Sequence, residues 1–307
     1  MEKKKTSKEK KESKEKEGTS PQTWKEKIIA GLKEVGIVLG AFLVLNNFVI
    51  ASFLVPTGSM ENEVMTGDFL FVNKFIYGGT SPRNIPFTNV RLPWFRVPKF
   101  RDVERKDVIV FVWPGNRDDI TSEDFMFYLK RCVGLPGDTI KVVNRVLFVN
   151  GTQFTIPRNI KFDSHMPLPE TFRDERIFPK GAPFNEDHFG PLVVPFKGMK
   201  VVLSAEHFEV WDTFIKREGH SIRLNNGNVE IDNQAVTEYT VQQDYLFGMG
   251  DHRDNSLDSR YWGFIPKDNL VGTPLIVYWS WDTSLPLYDI FGKLASVRLG
   301  RIGTLID

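Results

Sequence analysis

The feature that most constrains this chain is an uncharged apolar run near its N-terminus, residues 35–55. It reads VGIVLGAFLVLNNFVIASFLV, and only Asn46 and Asn47 interrupt it with strongly polar side chains. As a helix, at about 1.5 Å per residue, the run extends roughly 31 Å, which is about the thickness of the hydrocarbon core of a bilayer. It therefore predicts a membrane-spanning helix over residues 35–55.

Two alternatives compete with a retained span, namely a cleavable signal peptide and a helix buried in a protein core. The apolar run is longer than the usual apolar region of a signal peptide, and no A-x-A cleavage site ends it. The basic segment before it is also unusually long. These features favour a span that stays in the mature protein.

Charge is distributed unevenly on the two sides of this run. Residues 1–34 contain eleven lysines and seven glutamates, a net charge of +4, and the remaining chain carries a net charge of −3. Because lysine-rich flanks stay on the cytoplasmic side of a span, we expect residues 1–34 to form a solvated, largely disordered cytoplasmic tail. No later run is long enough to span a bilayer, so residues 56–307 are predicted to lie outside.

Composition excludes several other classes of protein. The overall net charge of +1 argues against a chain-wide nucleic-acid-binding surface, so no nucleic-acid partner is expected. A single cysteine, Cys132, excludes an intramolecular disulfide and a cysteine-based zinc site. The five histidines are not spaced as a local metal motif such as H-E-x-x-H, and no metal site is predicted.

The part of the chain after the apolar run is predicted to be mostly β. Short runs rich in Val, Ile and Phe recur between Gly, Pro, Asn and Asp, a pattern typical of strands joined by turns. The predicted strands are 69–75, 108–113, 139–143, 146–149, 199–204, 208–211, 229–231, 245–249 and 275–281. Residues 152–196 show little periodicity and are predicted to form long loops.

Three separated segments contain residue types that together can perform nucleophilic catalysis. They read VPTGSMENEVMTGDFLFVNKF (55–75), FYLKRCVGLPGDTI (127–140) and GMGDHRDNSLDSRYWG (248–263). A serine hydroxyl needs a base to take its proton, and the first two segments contain no histidine. Lys130 lies within an apolar run, where desolvation favours the neutral amine that can act as a base. Taken alone, Ser59 in a turn is better explained as a structural residue.

Together the three segments resemble the signature boxes of the bacterial type I signal peptidases, also called leader peptidases. PTGSM with TGDF is similar to the nucleophile box, YLKRCVGLPGD to the lysine box, and GDHRDNSLDSRYWG to the last box. The resemblance implies a membrane-anchored serine endopeptidase of the cytoplasmic (inner) membrane that needs no cofactor. It would remove signal peptides from secreted preproteins after small residues (A-x-A-like) through an acyl-enzyme.

The resemblance also implies a fold and a set of partners. The expected catalytic domain consists of coiled antiparallel β-sheets, interrupted by a β-rich insertion over about residues 141–244. Its partners would be preproteins that carry signal peptides, and membrane lipid. Residues 92–100 (LPWFRVPKF) mix aromatic and basic side chains, which suits either a membrane interface or packing inside a loop.

Four residues acquire catalytic roles through this resemblance. Ser59 is the expected nucleophile and Lys130 the expected general base. Thr57 and the backbone N–H of Ser59 would form the oxyanion hole, and Ser256 would orient the lysine through a hydrogen bond.

A second group acquires supporting roles by the same resemblance. Two ion pairs are expected to brace the site, and shallow apolar pockets are expected to bind the substrate. The ion pairs are Arg131 with Asp251 and Asp258 with Arg260; the pocket residues are Phe53, Val55, Val110 and Leu129.

Two positions depart from the family pattern. Asn62 and Glu63 stand where proline and threonine are common, which leaves the turn after Ser59 open. His252 stands where asparagine is common, and a structural role for it is favoured over a catalytic triad because the lysine box is intact.

Two other functions compete with the peptidase. A self-cleaving repressor also uses a serine–lysine pair, but it needs a DNA-binding module. A membrane-anchored peptide-binding or assembly protein that keeps the fold without catalysis is the remaining alternative.

Overall fold

The computed structural model describes residues 23–81, 90, 92–93, 95–120, 126–155, 157–286 and 288–306. The described chain divides into two compact units, one that ends at Leu45 and one that begins at Asn46. The second unit contains every strand named below.

Helices are few and strands predominate. The helices are α1 (Trp24–Phe48), α2 (Phe208–Arg217), α3 (Ser259–Trp262) and α4 (Ile290–Ala295). The strands are β1 (Ile50–Leu54), β2 (Asp68–Asn73), β3 (Val108–Val112), β4 (Phe127–Gly134), β5 (Thr139–Val143), β6 (Val146–Val149), β7 (Thr152–Gln153), β8 (Phe189–Val193), β9 (Lys200–Val202), β10 (Ile222–Asn225), β11 (Asn228–Ile231), β12 (Gln234–Ala235), β13 (Glu238–Thr240), β14 (Tyr245–Met249), β15 (Ile265–Pro266) and β16 (Leu270–Ser280).

The helix predicted over residues 35–55 was wrong at both ends. It begins at Trp24 and ends at Phe48, and Ile50–Leu54 forms β1 instead. An apolar run alone does not distinguish a helix from a strand; here pairing with β2, with Ile50 opposite Asn73, decides the matter. Helix α1 is long and apolar enough to cross a membrane, and none of its residues is buried.

The main sheet has seven antiparallel strands in the order β1-β2-β16-β3-β4-β14-β15. The pairing register shifts at Pro274/Ile276 and Val277/Trp279 of β16 and at Phe247/Gly248 of β14. Such bulges bend a strand and increase its twist, so the sheet coils. The predicted class, mostly β with coiled antiparallel sheet, is confirmed.

Strands β5–β13 lie between β4 and β14 along the chain and form smaller sheets of their own. Their orders are β7-β6-β5-β8, β10-β11-β12 and β13-β9. Residues 152–196, predicted as loops, contain β7 and β8 and are otherwise mostly turns and bends.

Residues 208–211, predicted as a strand, instead begin α2. Phe208, Trp211, Phe214 and Ile215 are spaced three and four residues apart, which is the period of a helix, and a four-residue window is too short to reveal it. Phe214 and Ile215 are buried in the core.

Strand β3 is buried on both of its faces. Val108 and Val110 belong to a cluster with Met60, while Ile109 and Phe111 belong to the larger core cluster. Alternate side chains of a strand point to opposite faces, so a strand buried on both sides reads as the continuous apolar run seen here. This doubly buried part of the sheet supports the site.

Candidate active site

Ser59 lies in a loop that connects two paired strands, β1 and β2. The loop is closed at its base, where the Val55 N–H donates to the Asp68 carbonyl (2.9 Å) and the Gly67 N–H donates to the Val55 carbonyl (2.9 Å). Met60 is 1% exposed and anchors the loop in the core. Ser59 itself remains half-buried at the surface of the cleft described below.

Lys130 reaches Ser59 from the centre of the main sheet. It lies on β4, opposite Ile109 of β3, and is only 3% exposed. Its Nζ donates to Ser59 Oγ at 2.8 Å and to the Leu129 carbonyl at 3.0 Å. The ammonium also lies 5.4 Å from the centre of the Tyr128 ring, because residues two apart on a strand share a face. The sequence analysis missed Tyr128, although this alternation could have found it.

The surroundings of Lys130 favour its neutral form. Burial is the main cause that lowers the pKa of Lys130 from 10.5 to about 8; the carboxylates of Asp258 and Asp251 oppose this shift, and Arg260 adds to it. A lysine with this pKa is partly neutral near neutral pH and can accept a proton.

Ser256 does not make the hydrogen bond predicted for it. Within the described chain, the buried Ser256 hydroxyl has no hydrogen-bond partner, whereas Lys130 Nζ donates to Ser59 and to a backbone carbonyl. A Cβ on Gly250 would come within 2.1 Å of Ser256 Oγ and 2.5 Å of the Ser59 carbonyl oxygen. Ser256 thus packs directly against the backbone at Gly250, beside the nucleophile loop.

Both expected ion pairs form, and both are buried. Arg131 Nε and Nη2 donate to Asp251 at 2.8 and 2.6 Å. Arg260 Nε and Nη2 each donate to Asp258 at 2.9 Å. Burial acts to raise the pKa of Asp258, but Arg260 and two backbone N–H donors outweigh it and hold the pKa below its ordinary value. The carboxylate of Asp258 therefore stays charged near Lys130.

Glu63 is a further residue of the site, and the sequence motifs did not reveal it. Its side chain is 4% exposed, lies 3.4 Å from Arg131 Nη2, and accepts a hydrogen bond from Asn159. Asn62 has a φ of 80°, a left-handed conformation that asparagine tolerates and that proline, with φ fixed near −65°, cannot adopt. The departure at Asn62 and Glu63 therefore gives this turn its own geometry.

His252 is 2% exposed and its ring faces groups other than the Ser59 hydroxyl. Nδ1 lies 3.3 Å from the Gly58 carbonyl and 3.2 Å from Glu61, and Nε2 lies 2.7 Å from Asp163. These contacts support the structural role rather than a catalytic triad.

A cleft of ≈ 730 Å³ opens beside the pair of Ser59 and Lys130. Thr57, which is exposed, and Ser256 line it as well. All four predicted pocket residues also line it: Phe53, Val55, Val110 and Leu129. Lining residues that the sequence analysis missed include Met126, Phe127, Leu257, Arg176 and Glu186.

Two further expectations concern metals and lipid. Among the described residues, no group of three or more His, Cys, Asp or Glu side chains is placed to hold a metal ion. In residues 92–100, Trp94 lies outside the described residues, Phe95 and Phe100 are exposed, and Arg96 donates to four backbone carbonyls, including that of Leu270.

Comparison with known proteins decides the family. The model of the family described as "Signal peptidase, peptidase S26" matches residues 28–279. The chain belongs to this family. Membership of the S26 signal peptidases makes it a peptidase whose substrates are secretory preproteins, in agreement with the resemblance seen in the sequence.

Individual S26 signal peptidases are similar to this chain over most of their length. Signal peptidase I of Pseudomonas aeruginosa is 30% identical, over 84% of this chain and 76% of that protein. Signal peptidase I of Buchnera aphidicola subsp. Acyrthosiphon pisum is 28% identical, over 86% and 78%. The crystal structure of a signal peptidase I from Enterococcus faecalis V583 matches with a TM-score of 0.26 at 18% identity, covering 56% of this chain and 97% of that one; so low a TM-score supports no conclusion.

Proposed function

We propose that this signal peptidase cleaves preproteins with Ser59 as the nucleophile and Lys130 as the general base. The observation that carries the proposal is the 2.8 Å contact between Lys130 Nζ and Ser59 Oγ, made by a lysine whose burial lowers its pKa to about 8. A serine becomes nucleophilic when a neutral base within hydrogen-bond reach can take its proton. Ser59 meets that condition, and it lies half-buried beside an open cleft.

The proposed reaction proceeds in two halves. Neutral Lys130 takes the hydroxyl proton of Ser59 as Oγ attacks the scissile carbonyl, and the protonated lysine then gives that proton to the departing amine. The acyl-enzyme is hydrolysed by a water that Lys130 deprotonates in the same way. The Ser59 N–H and the Thr57 hydroxyl stabilise the oxyanion; such a donor contributes about 3–4 kcal/mol in the transition state.

The proposed substrate is an extended signal peptide that ends in small residues, A-x-A-like. In the described sheet β1 pairs with β2 alone and so forms an edge, which can accept an added strand. Alternate side chains of that strand would face the cleft, which is lined by Phe53 and Leu129. Shallow apolar walls at alternate positions select small side chains at the first and third residues before the cut.

The direct test is cleavage of a purified preprotein by the detergent-solubilised full chain, with the new N-terminus sequenced. We expect cleavage after an A-x-A-like site by the native protein and none by Ser59→Ala. Lys130→Arg is expected to be inactive as well, because an arginine keeps the positive charge but is not deprotonated in proteins.

Ser221→Ala is the matched control. Ser221 lies in the insertion, away from the residues that line the cleft, and its hydroxyl donates to Asp232 at 3.1 Å. This variant should cleave at the native rate. Undiminished cleavage by folded Ser59→Ala or Lys130→Arg would contradict the proposed pair.

The same proposal includes a membrane topology. We propose that α1 crosses the cytoplasmic (inner) membrane once, with its lysine-rich N-terminal side in the cytoplasm and the catalytic unit outside. No residue of α1 is buried, and the helix is long and apolar enough to span a bilayer. The excess of lysine over glutamate precedes its apolar part. We also propose that the catalytic unit contacts membrane lipid.

A further inference from the structure

We infer that residues 159–164, the bridging segment, hold the Ser59 loop in its reactive arrangement, with Asn159 and Lys161 as positioning residues. The bridging segment belongs to the β-rich insertion, to which no role was assigned from the sequence. The inference rests on the proposed roles of Ser59 and Lys130, and it concerns how this chain fixes their mutual geometry.

Backbone hydrogen bonds attach the bridging segment to the last sequence box. The Lys161 N–H donates to the Asp251 carbonyl at 2.8 Å, and the Arg253 N–H donates to the Lys161 carbonyl at 2.9 Å. These bonds form an isolated parallel bridge between Lys161 and His252. The last sequence box in turn contacts the nucleophile loop directly, since the His252 N–H donates to the Ser59 carbonyl at 3.1 Å.

Side chains of the bridging segment extend these contacts to the residues that follow Ser59. Lys161 Nζ donates to Glu61 at 2.9 Å, and the Glu61 carboxylate raises the pKa of Lys161. Asn159 donates to Glu63, which is 4% exposed. Asp163 accepts from the His252 ring at 2.7 Å if that nitrogen carries the proton.

Both departures from the family pattern therefore have partners in one short segment. His252 contacts Asp163, and Glu63 contacts Asn159. Unlike a proline at position 62, Asn62 in its left-handed conformation does not stiffen the turn. Glu61 and Glu63 are the two residues that flank Asn62. Their contacts with the bridging segment restrain the turn instead.

The consequence concerns the distance between Ser59 Oγ and Lys130 Nζ. Lys130 is held by the main sheet, but Ser59 is on a loop whose bonds after Ser59 are single N–H contacts, from Glu61 to Gly58 and from Glu63 and Val64 to Met60. A misplacement of about 1 Å at a reacting group can reduce the rate about a hundredfold. Tying both glutamates to the insertion keeps the loop from drifting away from the lysine.

The test compares Lys161→Met with native protein and with Lys161→Arg, using the full chain in detergent and one preprotein. Lys161→Met should lower kcat about tenfold, leave KM within about twofold, and leave the unfolding midpoint nearly unchanged. Lys161→Arg keeps the contact with Glu61 and should restore kcat. Asn159→Ala should lower kcat in the same sense.

A second readout does not depend on cleavage. Hydrogen exchange of the backbone amides of Glu61, Glu63 and Val64, which all donate within the loop, should accelerate in Lys161→Met while the strands stay protected. The matched control is Lys200→Met, which removes another ion pair of the insertion, Lys200 to Glu238 at 2.6 Å. That variant should change neither kcat nor exchange in the loop.

Three outcomes would overturn the inference: native kcat and native loop exchange in Lys161→Met, a loss of kcat that Lys161→Arg shares, or a general loss of protection in place of a local one. Failure of the proposed function has a different signature. In that case Ser59→Ala would cleave like the native protein, whereas the exchange measurement would still report whether the bridging segment restrains the loop.

Discussion

A lysine side chain is charged in water and is rarely buried in a folded protein, but Lys130 is buried here. Its side chain is 3% exposed, and burial is the main cause of its lowered pKa of about 8. The buried pair of Asp258 with Arg260 acts on it with opposite signs, since Asp258 raises its pKa and Arg260 lowers it, and desolvation is a larger effect than either. The proposed base is thus prepared by the core that surrounds it.

The first prediction concerns the pH dependence of cleavage. Only neutral Lys130 can take the Ser59 proton, so kcat/KM, which reports the groups of the free enzyme, should rise with pH and level off above about 8. Below that value kcat/KM should fall about tenfold per pH unit. A pH profile of kcat/KM on a preprotein measures this, and a value that is flat between pH 6 and 9 would exclude Lys130 as the base.

The second prediction concerns stability. The folded-state pKa of Lys130 is about 8 against an ordinary pKa of 10.5, so at pH 7 folding is opposed by about 3 kcal/mol from the buried charge. This penalty disappears as the pH rises from 8 to 10.5. Lys130→Met should therefore be more stable than native protein at pH 7 by about 1–3 kcal/mol, after loss of two hydrogen bonds.

Denaturant unfolding of both proteins at pH 7 and pH 10, followed by tryptophan fluorescence, tests this sign. The difference should shrink at pH 10. A variant that is less stable than native protein at pH 7 would show that the lysine is not desolvated to this extent.

Single residues also mark the limit of what the sequence could predict. The pairs Arg131–Asp251 and Asp258–Arg260 follow from motif residues and are present. Contacts of Glu63 with Asn159 join residues about a hundred positions apart, and no local pattern reports such packing. The hydrogen bond of Ser256 to Lys130 was predicted by resemblance and is absent; Lys130 Nζ donates to Ser59 and to the Leu129 carbonyl instead.

Strand β1 connects the apolar N-terminal segment to the cleft. It forms one edge of the main sheet, and Phe53 packs edge-on against Phe127 of β4 with ring centres 5.0 Å apart. This aromatic pair and Leu129 form the apolar wall of the cleft. The width of that wall is expected to limit the size of the substrate side chain.

The third prediction tests this wall with Phe53→Ala. The variant should cleave preproteins with leucine in place of a small residue near the cut about tenfold better, relative to alanine, than native protein does. Competition between the two preproteins measures the ratio. Phe71→Ala is the control, because Phe71 stacks on Tyr278 outside the cleft; an unchanged ratio in Phe53→Ala would remove Phe53 from the substrate-binding residues.

Elements were predicted best where local pattern and pairing agree. Residues 139–143, 146–149 and 245–249 form strands with the predicted bounds. The run 35–55 was assigned to a single helix because apolar composition is common to helix and strand, and only pairing with β2 separates the two at Phe48.

The whole molecule joins a helix suited to a bilayer to a unit with a buried polar site. The last three residues of α1 already belong to the second unit, which begins at Asn46. Within that unit, Lys74 Nζ donates to the Asn46 carbonyl, and Phe48 stacks with Phe95 at 5.8 Å. Little chain separates the proposed anchor from the first strand of the sheet.

The fourth prediction tests the proposed topology in intact cells. A membrane-impermeant maleimide should label Lys141→Cys, an exposed position on β5, and should label Lys5→Cys only after the cells are permeabilised. The native Cys132 is buried and should contribute little background. Labelling of Lys5→Cys in intact cells, with Lys141→Cys protected, would reverse the orientation.

The lowered pKa of Lys130 also has a consequence for the physiology of a cell that carries this enzyme. With the catalytic unit outside the cytoplasmic membrane, as proposed, the lysine would equilibrate with the medium, whose acidity the cytoplasm does not buffer. At pH 6 about one enzyme in a hundred would hold a neutral lysine, against about half at pH 8. Export of proteins would then slow as the surroundings acidify, and a cell in an acidic habitat would need more copies of the enzyme to sustain the same growth.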